Sequence, residues 1–434
     1  MNLKTNSFSF HPEHIGFSLW NSYLLNIIKF FLLFPLFSNN INAQQLNFPP
    51  PFISMKDSMG TSYTSDAETI IKNMPRVRDQ KKFEICFGMA TAVLVQKHIC
   101  DSNEMKDCEV PKELEVSPLS TMAWFQKNTA ICTIKNGKYF IDAYSSEVSA
   151  EECGEASLPD ADSMSYTNVR FAGNAYLTLK NAATTFAFHS EACFASDRFF
   201  KQFGKSKESA DNFVNELKQF YYFNRNKEID CPSCLVADAR GRLNTLKLDE
   251  ATVRAALQMK NFQEFMFKLM FRDCERIKFS ESPVFRQFPD IPLEYVMSPR
   301  DQISMSLGLG RKDDIYYLEK GHKIKIAPLS ADQLLAKVKD ILNQGYPLML
   351  DNLCVERTKI GACLLKHSVV IKGNKKVCNA KECKDFLLLQ NSWGENWQSE
   401  YDDGWVEADS LLANVDINTI RPGILSWYER SAKK

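Results

Sequence analysis

The stretch RDQKKFEICFGMATAVLVQ, residues 78–96, decides how the chain is interpreted, because a single cysteine, Cys86, stands where an apolar segment begins. From Phe87 onward the run FGMATAVLVQKHI is apolar on nearly every side and contains no proline. A run of this length favours a buried helix over a buried strand. At the start of a helix, a cysteine lies beside free backbone N–H groups and the positive end of the helix dipole, which favour the thiolate. Cys86 is therefore a candidate nucleophile; half of a disulfide and a buried apolar filler are the alternatives.

Composition limits the classes of protein to which the chain can belong. Its 434 residues could form one large domain or two to three ordinary ones, and 44% hydrophobic with 24% charged residues is typical of a globular protein. Lys plus Arg and Asp plus Glu number 53 each, so the chain lacks the basic excess expected for binding nucleic acid or an anionic membrane. We therefore expect no nucleic-acid partner.

Residues 1–43 have the pattern of a secretory signal peptide. Lys29 precedes the apolar run FFLLFPLF (30–37), and the segment ends at the small residue Ala43. The run is shorter than the ~20 apolar residues that span a bilayer. The pattern predicts a secreted, periplasmic or lumenal protein with no membrane span in the mature chain; an uncleaved anchor is the alternative.

All thirteen cysteines follow Ala43. Export exposes them to oxidising conditions, so we expect six disulfides and one free thiol, with Cys86 the candidate for the free one. Short sequence separations favour three pairs, and a fourth pair would fix a more distant segment: Cys100–Cys108, Cys354–Cys363, Cys378–Cys383 and Cys193–Cys274. The motif CPSC (231–234) is interpreted as disulfide-forming; half of a zinc site is the alternative, although no second CxxC or CxxH follows.

The first half of the chain is predicted to be mainly helical. Residues 44–75 are interpreted as an extended lead-in with a short helix at SDAETIIKNM (65–74), and SPLSTMAWFQKN (117–128) as a second helix. Two later stretches carry apolar residues at helical spacing, which predicts helices packed on a core, with a groove for a partner as the alternative. Their apolar sets are Phe213, Leu217, Phe220 and Tyr221, and Phe262, Phe265, Met266, Leu269 and Met270.

The last third of the chain predicts a β-hairpin. HSVVIKG (367–373) and DFLLLQ (385–390) are interpreted as its strands, with Cys378 and Cys383 at the tip. Asn391 follows the second strand, so hairpin geometry alone can bring its amide beside the imidazole of His367. In that position the amide would fix the orientation of the ring, as the third member of a catalytic triad does.

A nucleophilic cysteine also needs a base and donors for the developing oxyanion. His367 is the candidate base and could pair with the thiol as imidazolium. Gln80, six positions before Cys86, could direct its side-chain amide at the same place. Glu84 puts a carboxylate close in sequence to the thiolate, which is unfavourable unless that side chain faces water.

These residues resemble the active-site segments of papain-like cysteine peptidases. RDQKKFEICFGMATA has a glutamine six residues before the cysteine, as that family does, and NSWGENW (391–397) matches its Asn-Ser-Trp-Gly segment. KHSVVIKG (366–373) is similar to the histidine strand, and VSPLSTMAWF to the helix after the nucleophile helix. The order Gln, Cys, His, Asn is also that of the family.

The resemblance implies an α+β fold with a helical half led by the Cys86 helix, a β-rich half that carries His367 and Asn391, and a cleft between them. It implies hydrolysis of peptide bonds in a peptide or protein substrate through an acyl-enzyme at Cys86, with Gln80 as oxyanion donor. Trp393 would shield the histidine–asparagine contact from solvent. No metal and no organic cofactor is implied.

Three departures from the family pattern accompany this resemblance. The residues around the nucleophile are Phe83 to Phe87 instead of Cys-Gly-Ser-Cys-Trp, and the substrate-gripping glycines reduce to Ala172 and Gly173 in FAGNAYLTLKN. The histidine and asparagine follow the cysteine by about 140 residues more than in papain. The extra residues predict a large helical, disulfide-bearing insertion at roughly 195–345 of a peptidase domain that spans 76–434.

Two alternatives to a peptidase that cleaves within chains stay open. The first is an exopeptidase or acyl-transferring enzyme on the same scaffold, with the insertion blocking part of the cleft. The second is a catalytically silent homologue that acts as a binding protein. The sequence indicates neither the oligomeric state nor the subsite preference.

Overall fold

The computed structural model describes most of the chain from Pro49 to Arg430. Within residues 47–434, which form one compact unit, the described residues are interrupted by short and long gaps. The gaps are residues 67, 122–131, 136–137, 142–146, 149–174, 186, 194, 225–248, 260–264, 266–267, 270–276, 279–282, 290–314, 320–321, 327–328, 359–360, 362 and 416–423.

The described residues include nine α-helices and fifteen β-strands. The helices are α1 Met55–Met59, α2 Cys86–Ser102, α3 Ala175–Thr185, α4 Ser196–Phe203, α5 Lys207–Asn224, α6 Glu250–Leu257, α7 Ala331–Asn343, α8 Glu395–Glu400 and α9 Ala408–Ala413. The strands before residue 300 are β1 Thr64–Ser65, β2 Thr69–Ile70, β3 Cys132–Lys135, β4 Lys138–Ile141, β5 Glu147–Val148, β6 Ala187–Phe188, β7 Ile277–Lys278 and β8 Val284–Phe288. Those after it are β9 Ile315–Glu319, β10 His322–Ile326, β11 Leu348–Arg357, β12 Cys363–Cys378, β13 Cys383–Gln390, β14 Trp405–Glu407 and β15 Leu425–Glu429.

The main sheet is antiparallel throughout and has the strand order β14-β13-β12-β11-β15-β8, with β1 and β2 also pairing with β12. Antiparallel sheet packed with helices is the α+β class, as predicted. The sheet supplies the predicted hairpin, because β12 pairs with β13 from Val370↔Gln390 to Cys378↔Cys383.

Helix α2 is the predicted helix after Cys86, and it is buried from Phe87 through Cys100. Burial on every side explains its sequence, because a helix inside a core needs no polar face. Cys86 is its first residue, and Ile85 at the N-cap contributes no side-chain hydrogen bond. The backbone N–H groups of the first turn are therefore not occupied by a capping side chain.

The amphipathic stretches pack as helices in the core, as predicted. In α5 the four predicted apolar residues are all buried, and Phe265 and Leu269 of the second stretch are buried in the same hydrophobic cluster as α2. Phe262, Met266 and Met270 lie outside the described residues. The region predicted as a helical insertion also contains strands, and β8 from this region pairs with β15 at the edge of the main sheet.

The predicted helix at SDAETIIKNM is wrong. Residues of this segment form β2 and the end of β1, which pair with β12 at Gly373↔Ile70 and Val377↔Ser65. The sixteen-residue β12 pairs with β11 along its first half only, so its second half offers a free edge that the lead-in covers. The short helix of the lead-in is α1, where the Ser54 hydroxyl accepts from the Asp57 N–H at 3.1 Å.

The second predicted helix begins at Pro118, near a proline as expected, and continues to residue 121, where this described stretch ends. The predicted signal peptide (1–43), Ala172, Gly173 and the CPSC motif (231–234) lie outside the described residues. Among the residues that are described, no helix combines the length and the apolar character that crossing a membrane requires.

Three of the predicted disulfides are present: Cys100–Cys108, Cys354–Cys363 and Cys378–Cys383. Cys193 is also disulfide-bonded, and its predicted partner Cys274 lies outside the described residues. Cys86 is the free thiol among the cysteines that the structure describes, as predicted.

Candidate active site

The hairpin joins His367 to Asn391. His367 lies on β12, and Asn391 follows the last residue of β13, so the pairing of the two strands brings both side chains together. The imidazole Nε2 and the amide Oδ1 are 2.7 Å apart, and both residues are buried. An amide oxygen can only accept, so Nε2–H donates and the Nδ1 atom keeps its lone pair. The ring is thus held in the tautomer that leaves Nδ1 available as a base.

An aromatic cluster covers this contact. The Trp393 ring stacks on the His367 imidazole, with centroids 4.6 Å apart and planes 25° apart. Phe52 from the lead-in makes edge contacts with Trp393 at 5.6 Å and with Trp397 at 5.2 Å. The tryptophan predicted to shield the histidine therefore lies over it, and the phenylalanine that supports this tryptophan is a residue that sequence reasoning missed.

The position after Trp393 requires a glycine, Gly394. Its φ is +86°, a conformation that side chains rarely adopt, and a Cβ there would lie 2.9 Å from the Asp79 carboxylate. The Gly394 N–H donates to the Arg78 carbonyl at 3.2 Å, and Asp79 pairs with Trp393 as an isolated bridge. The segment after β13 is therefore fastened directly to the segment that leads into α2.

Gln80 lies in this junction. Its backbone N–H donates to the Ser392 carbonyl at 2.8 Å, and its side-chain oxygen accepts from the Ser392 hydroxyl at 2.7 Å. The side-chain nitrogen donates to the Phe83 carbonyl at 2.7 Å. One of the two amide hydrogens is thus occupied, and the other is available to a second acceptor.

Two further glutamines, which sequence reasoning missed, hold the same junction. Gln398 accepts from the Asn391 N–H at 3.0 Å and donates to the Leu389 carbonyl at 3.0 Å. Gln390 donates to the Pro75 carbonyl at 2.9 Å. Gln390 ends β13 and Gln398 lies in α8, and the sequence around either glutamine does not specify a partner.

Cys86 stands at the start of α2 with its residue partly exposed and its sulfur surrounded by protein groups. Ser368 and Phe87 are near enough to the sulfur to lower the pKa of the thiol against the effect of burial. Ser368 immediately follows His367 on β12. The cysteine, the histidine strand and the asparagine are thus brought into one region.

The charge state of the site differs from the expected ion pair. Burial, with a further contribution from Asp351, raises the pKa of the Cys86 thiol to about 11, although hydrogen bonds from Ser368 and Phe87 oppose this. Burial also lowers the pKa of His367 to about 4, against the opposing effect of its bond to Asn391. Desolvation disfavours both charged forms. At neutral pH the thiol and the imidazole are therefore both neutral.

The carboxylate that acts on the thiol is Asp351, a residue that sequence reasoning missed. The sequence pointed to Glu84, two residues from the cysteine, whereas Asp351 comes from β11. Its Oδ1 accepts from the Ser368 hydroxyl at 2.7 Å. Among the described residues, no cluster of His, Cys, Asp and Glu is arranged to hold a metal ion.

A buried ion-pair network fixes the segment before the site. Arg78 donates to Glu191 at 2.9 Å and to Glu115 at 2.6 Å, and all three side chains are less than a tenth exposed. Burial opposes ionisation of Glu115, but Arg78 and its other partners lower the pKa of this carboxyl overall. The network ties the residues before Gln80 to the helical part of the chain.

No protein-family model matches the chain, and a search of curated proteins finds no significant match. Function is therefore inferred from the geometry of these residues.

Proposed function

We propose that the chain is a papain-like cysteine peptidase that hydrolyses peptide bonds through an acyl-enzyme at Cys86. The observation that carries the proposal is the oriented imidazole: Asn391 holds His367 Nε2 at 2.7 Å beneath Trp393. The next residue of the same strand, Ser368, is near enough to Cys86 to affect the pKa of its thiol. A cysteine, a histidine in a fixed tautomer and an orienting amide are the groups that thiol acyl transfer requires.

The neutral resting state defines how the first step proceeds. Because Nε2–H is bonded to Asn391, the Nδ1 lone pair of His367 takes the thiol proton as the sulfur attacks the substrate carbonyl. The negative charge that develops on the carbonyl oxygen is stabilised by the remaining amide hydrogen of Gln80 and by the Cys86 backbone N–H. The imidazolium then donates its proton to the leaving amine.

Hydrolysis of the acyl-enzyme uses the same groups. His367 takes a proton from water, which attacks the thioester carbonyl, and the thiol leaves with that proton. The substrate is a peptide or protein, and the steps need no organic cofactor and no metal. The proposal includes the papain-like arrangement of a helical half and a β-rich half, an insertion at roughly 195–345, and export of the chain.

Two observations favour a second candidate, a catalytically silent homologue that acts as a binding protein. The thiol pKa of about 11 leaves little thiolate at neutral pH. The Gln80 amide is also bonded to the Phe83 carbonyl, which removes one of its hydrogens from oxyanion binding. Both would be tolerated in a protein that binds peptides without cleaving them.

An activity-based probe distinguishes the two candidates. We expect a peptidyl epoxide that alkylates cysteine peptidases to modify Cys86 in the folded protein at neutral pH, because binding beside His367 promotes proton transfer. Labelling should be lost in Cys86→Ala and strongly slowed in His367→Ala. Iodoacetamide at alkaline pH serves as the control for an intact, accessible thiol.

Alkylation by iodoacetamide without any epoxide labelling would support the binding protein and contradict the peptidase. If the epoxide reacts, quenched peptides with blocked or free termini test the remaining alternative. Cleavage of doubly blocked peptides indicates an endopeptidase, whereas a requirement for a free terminus indicates an exopeptidase.

A further inference from the structure

The side chain of Gln398 fixes the backbone from which Asn391 extends. This glutamine lies on the short helix α8 and is 5% exposed. Its Oε1 accepts from the Asn391 N–H at 3.0 Å, and its Nε2 donates to the carbonyls of Leu389 and Asp403, both at 3.0 Å. The oxygen and both amide hydrogens are in use, so the side chain cannot turn without breaking one of these bonds.

Gly404 leaves the room that the Gln398 amide occupies. Its φ is +102°, and a Cβ there would lie 2.5 Å from Gln398 Nε2 and would also collide with the Leu389 carbonyl. Asp403, immediately before it, has a φ of +61° and directs its carbonyl to the same amide. Residues other than glycine rarely adopt that conformation. The turn therefore encloses the glutamine amide closely.

The side chain of Asn391 is held less completely. Its Oδ1 accepts from the His367 ring at 2.7 Å and from the Ser392 backbone N–H at 2.8 Å. A backbone N–H only donates, which identifies this atom as the oxygen of the amide. Among the described residues, the buried Asn391 Nδ2 has no hydrogen-bond partner. The position of the oxygen therefore depends on the course of the backbone from Asn391 to Ser392.

Two hydrogen bonds fix that course after β13 has ended at Gln390. The Ser392 carbonyl accepts from the Gln80 backbone N–H at 2.8 Å, and the Asn391 N–H donates to Gln398. The first joins two backbone groups, whereas the second depends on a side chain. A substitution of Gln398 therefore tests whether this hold matters to the histidine.

We propose that Gln398 is a positioning residue, which acts through Asn391 to hold the His367 imidazole in one orientation and one tautomer. Without the Gln398 oxygen, the buried Asn391 N–H has no acceptor, which is costly, so the segment shifts toward another partner. Asn391 Oδ1 moves with it, and its bond to Nε2 lengthens. The ring then turns and takes up either tautomer. This inference rests on the proposed function, because it concerns the base of the same reaction.

A purely structural role is the competing explanation, in which Gln398 stabilises the fold without affecting His367. Gln398→Met removes the three hydrogen bonds while it keeps a side chain of similar length. Gln390→Met is the matched control, since Gln390 is 4% exposed, adjoins Asn391 and donates to two carbonyls of the segment 75–76 instead. Both variants should lower Tm, so a difference between them at His367 is not explained by lost stability.

The first measurement is the NMR signal of the His367 Nε2–H, which does not depend on peptidase activity. The chain contains six histidines, which are labelled with ¹⁵N, and the signal is assigned by its absence in His367→Ala. We expect Gln398→Met to accelerate exchange of this proton with water by about tenfold, the factor that corresponds to one lost hydrogen bond. The ring should also become a mixture of tautomers. Gln390→Met should leave the exchange rate and the tautomer unchanged.

The second measurement is the hydrolysis of quenched peptides. A displaced base slows proton transfer but leaves peptide binding intact, so Gln398→Met should reduce kcat by about 10- to 100-fold. KM should stay nearly unchanged, because the lost interaction contributes to the transition state and not to substrate binding. Thermal denaturation verifies folding, and Gln398→Leu, which also lacks an acceptor, replaces Gln398→Met if the latter does not fold.

An unchanged His367 signal in a folded Gln398 variant would overturn the proposal, as would equal changes in Gln398→Met and Gln390→Met. If the wild type hydrolyses no peptide but only the Gln398 variant alters the His367 signal, the peptidase is contradicted and the positioning role is supported. If peptides are hydrolysed while the Gln398 variant leaves the signal and kcat unchanged, the positioning role alone is contradicted. The two failures are thus distinguishable.

Discussion

The two sides of the candidate site are prepared to different degrees. On the β-sheet side, His367 is bonded to Asn391 and covered by Trp393, and Gln398 holds the Asn391 backbone. On the α2 side, the Cys86 thiol has hydrogen-bond donors nearby, but burial and Asp351 keep it protonated. In the proposed mechanism, His367 is thus held in one orientation before the substrate binds, whereas the thiolate of Cys86 forms only when it binds.

The largest effect should come from removing either reacting group. Cys86→Ala and His367→Ala should each reduce kcat/KM by at least about 10³-fold, because the two groups act as one unit in acyl transfer. Asn391→Ala should be milder, since it orients the base without transferring a proton. The measurement is hydrolysis of the best peptide substrate, with circular dichroism to verify folding. Near wild-type turnover in Cys86→Ala would refute the mechanism.

The next largest effect on activity should come from substituting Gln80, the residue that joins the two sides. Gln80→Ala should reduce kcat by about 10²–10³, the usual loss for one oxyanion donor. Gln80→Glu keeps an acceptor for the Ser392 hydroxyl while it removes the donor. If the amide binds the oxyanion, the two variants should be equally impaired. A nearly active Gln80→Glu would show that Gln80 only braces the junction.

Loss of the aromatic support should weaken the β-sheet side. Phe52→Ala should lower the free energy of unfolding by about 3 kcal/mol, because the side chain is 8% exposed and packs against Trp393 and Trp397. Tyr63→Ala is the matched control, since this aromatic residue of the same lead-in is 37% exposed and should change stability by less than about 0.5 kcal/mol. Urea denaturation measures both. Equal losses in the two variants would contradict the supporting role.

The smallest effect concerns the α2 side. The rate at which iodoacetamide alkylates Cys86 should rise with pH toward an apparent pKa of about 11, and Asp351→Asn should shift this profile to lower pH. Because the folded pKa exceeds the unfolded value of about 9, the thiol favours folding fully below that pH. This contribution is lost as pH rises through about 11. A profile centred at or below pH 9 would contradict the neutral resting state.

Local patterns in the sequence were enough to predict the α+β class, several elements of the fold and the contact between His367 and Asn391. Apolar runs without breakers predicted α2 and the strands of the hairpin, and the hairpin alone brought Asn391 to His367. The short-range disulfides followed from spacing for the same reason. Each of these features depends on neighbours within a few residues or within one hairpin.

The features that the sequence did not reveal depend on distant segments. The lead-in forms strands because the second half of β12 leaves an edge to cover, which no local propensity reports. Asp351 reaches Ser368 only through a bulge, and alternation along β11 cannot indicate where the extra residue falls. The sequence therefore pointed to Glu84, the nearest carboxylate along the chain, and missed the one that is near in space.

The packing of the lead-in has a consequence for the order in which the protein folds during synthesis. Asn414 donates to the Pro49 carbonyl across 365 residues of chain, and the Ser58 hydroxyl donates to Glu407 across 349. Contacts of such separation form slowly, and their early partners leave the ribosome long before the later ones exist. Phe52 is therefore synthesised long before Trp393 and Trp397, the two residues against which it packs. The aromatic cover over His367 is consequently among the last parts of the molecule to form, so an unfinished chain cannot hold the imidazole in the orientation that it has in the complete fold.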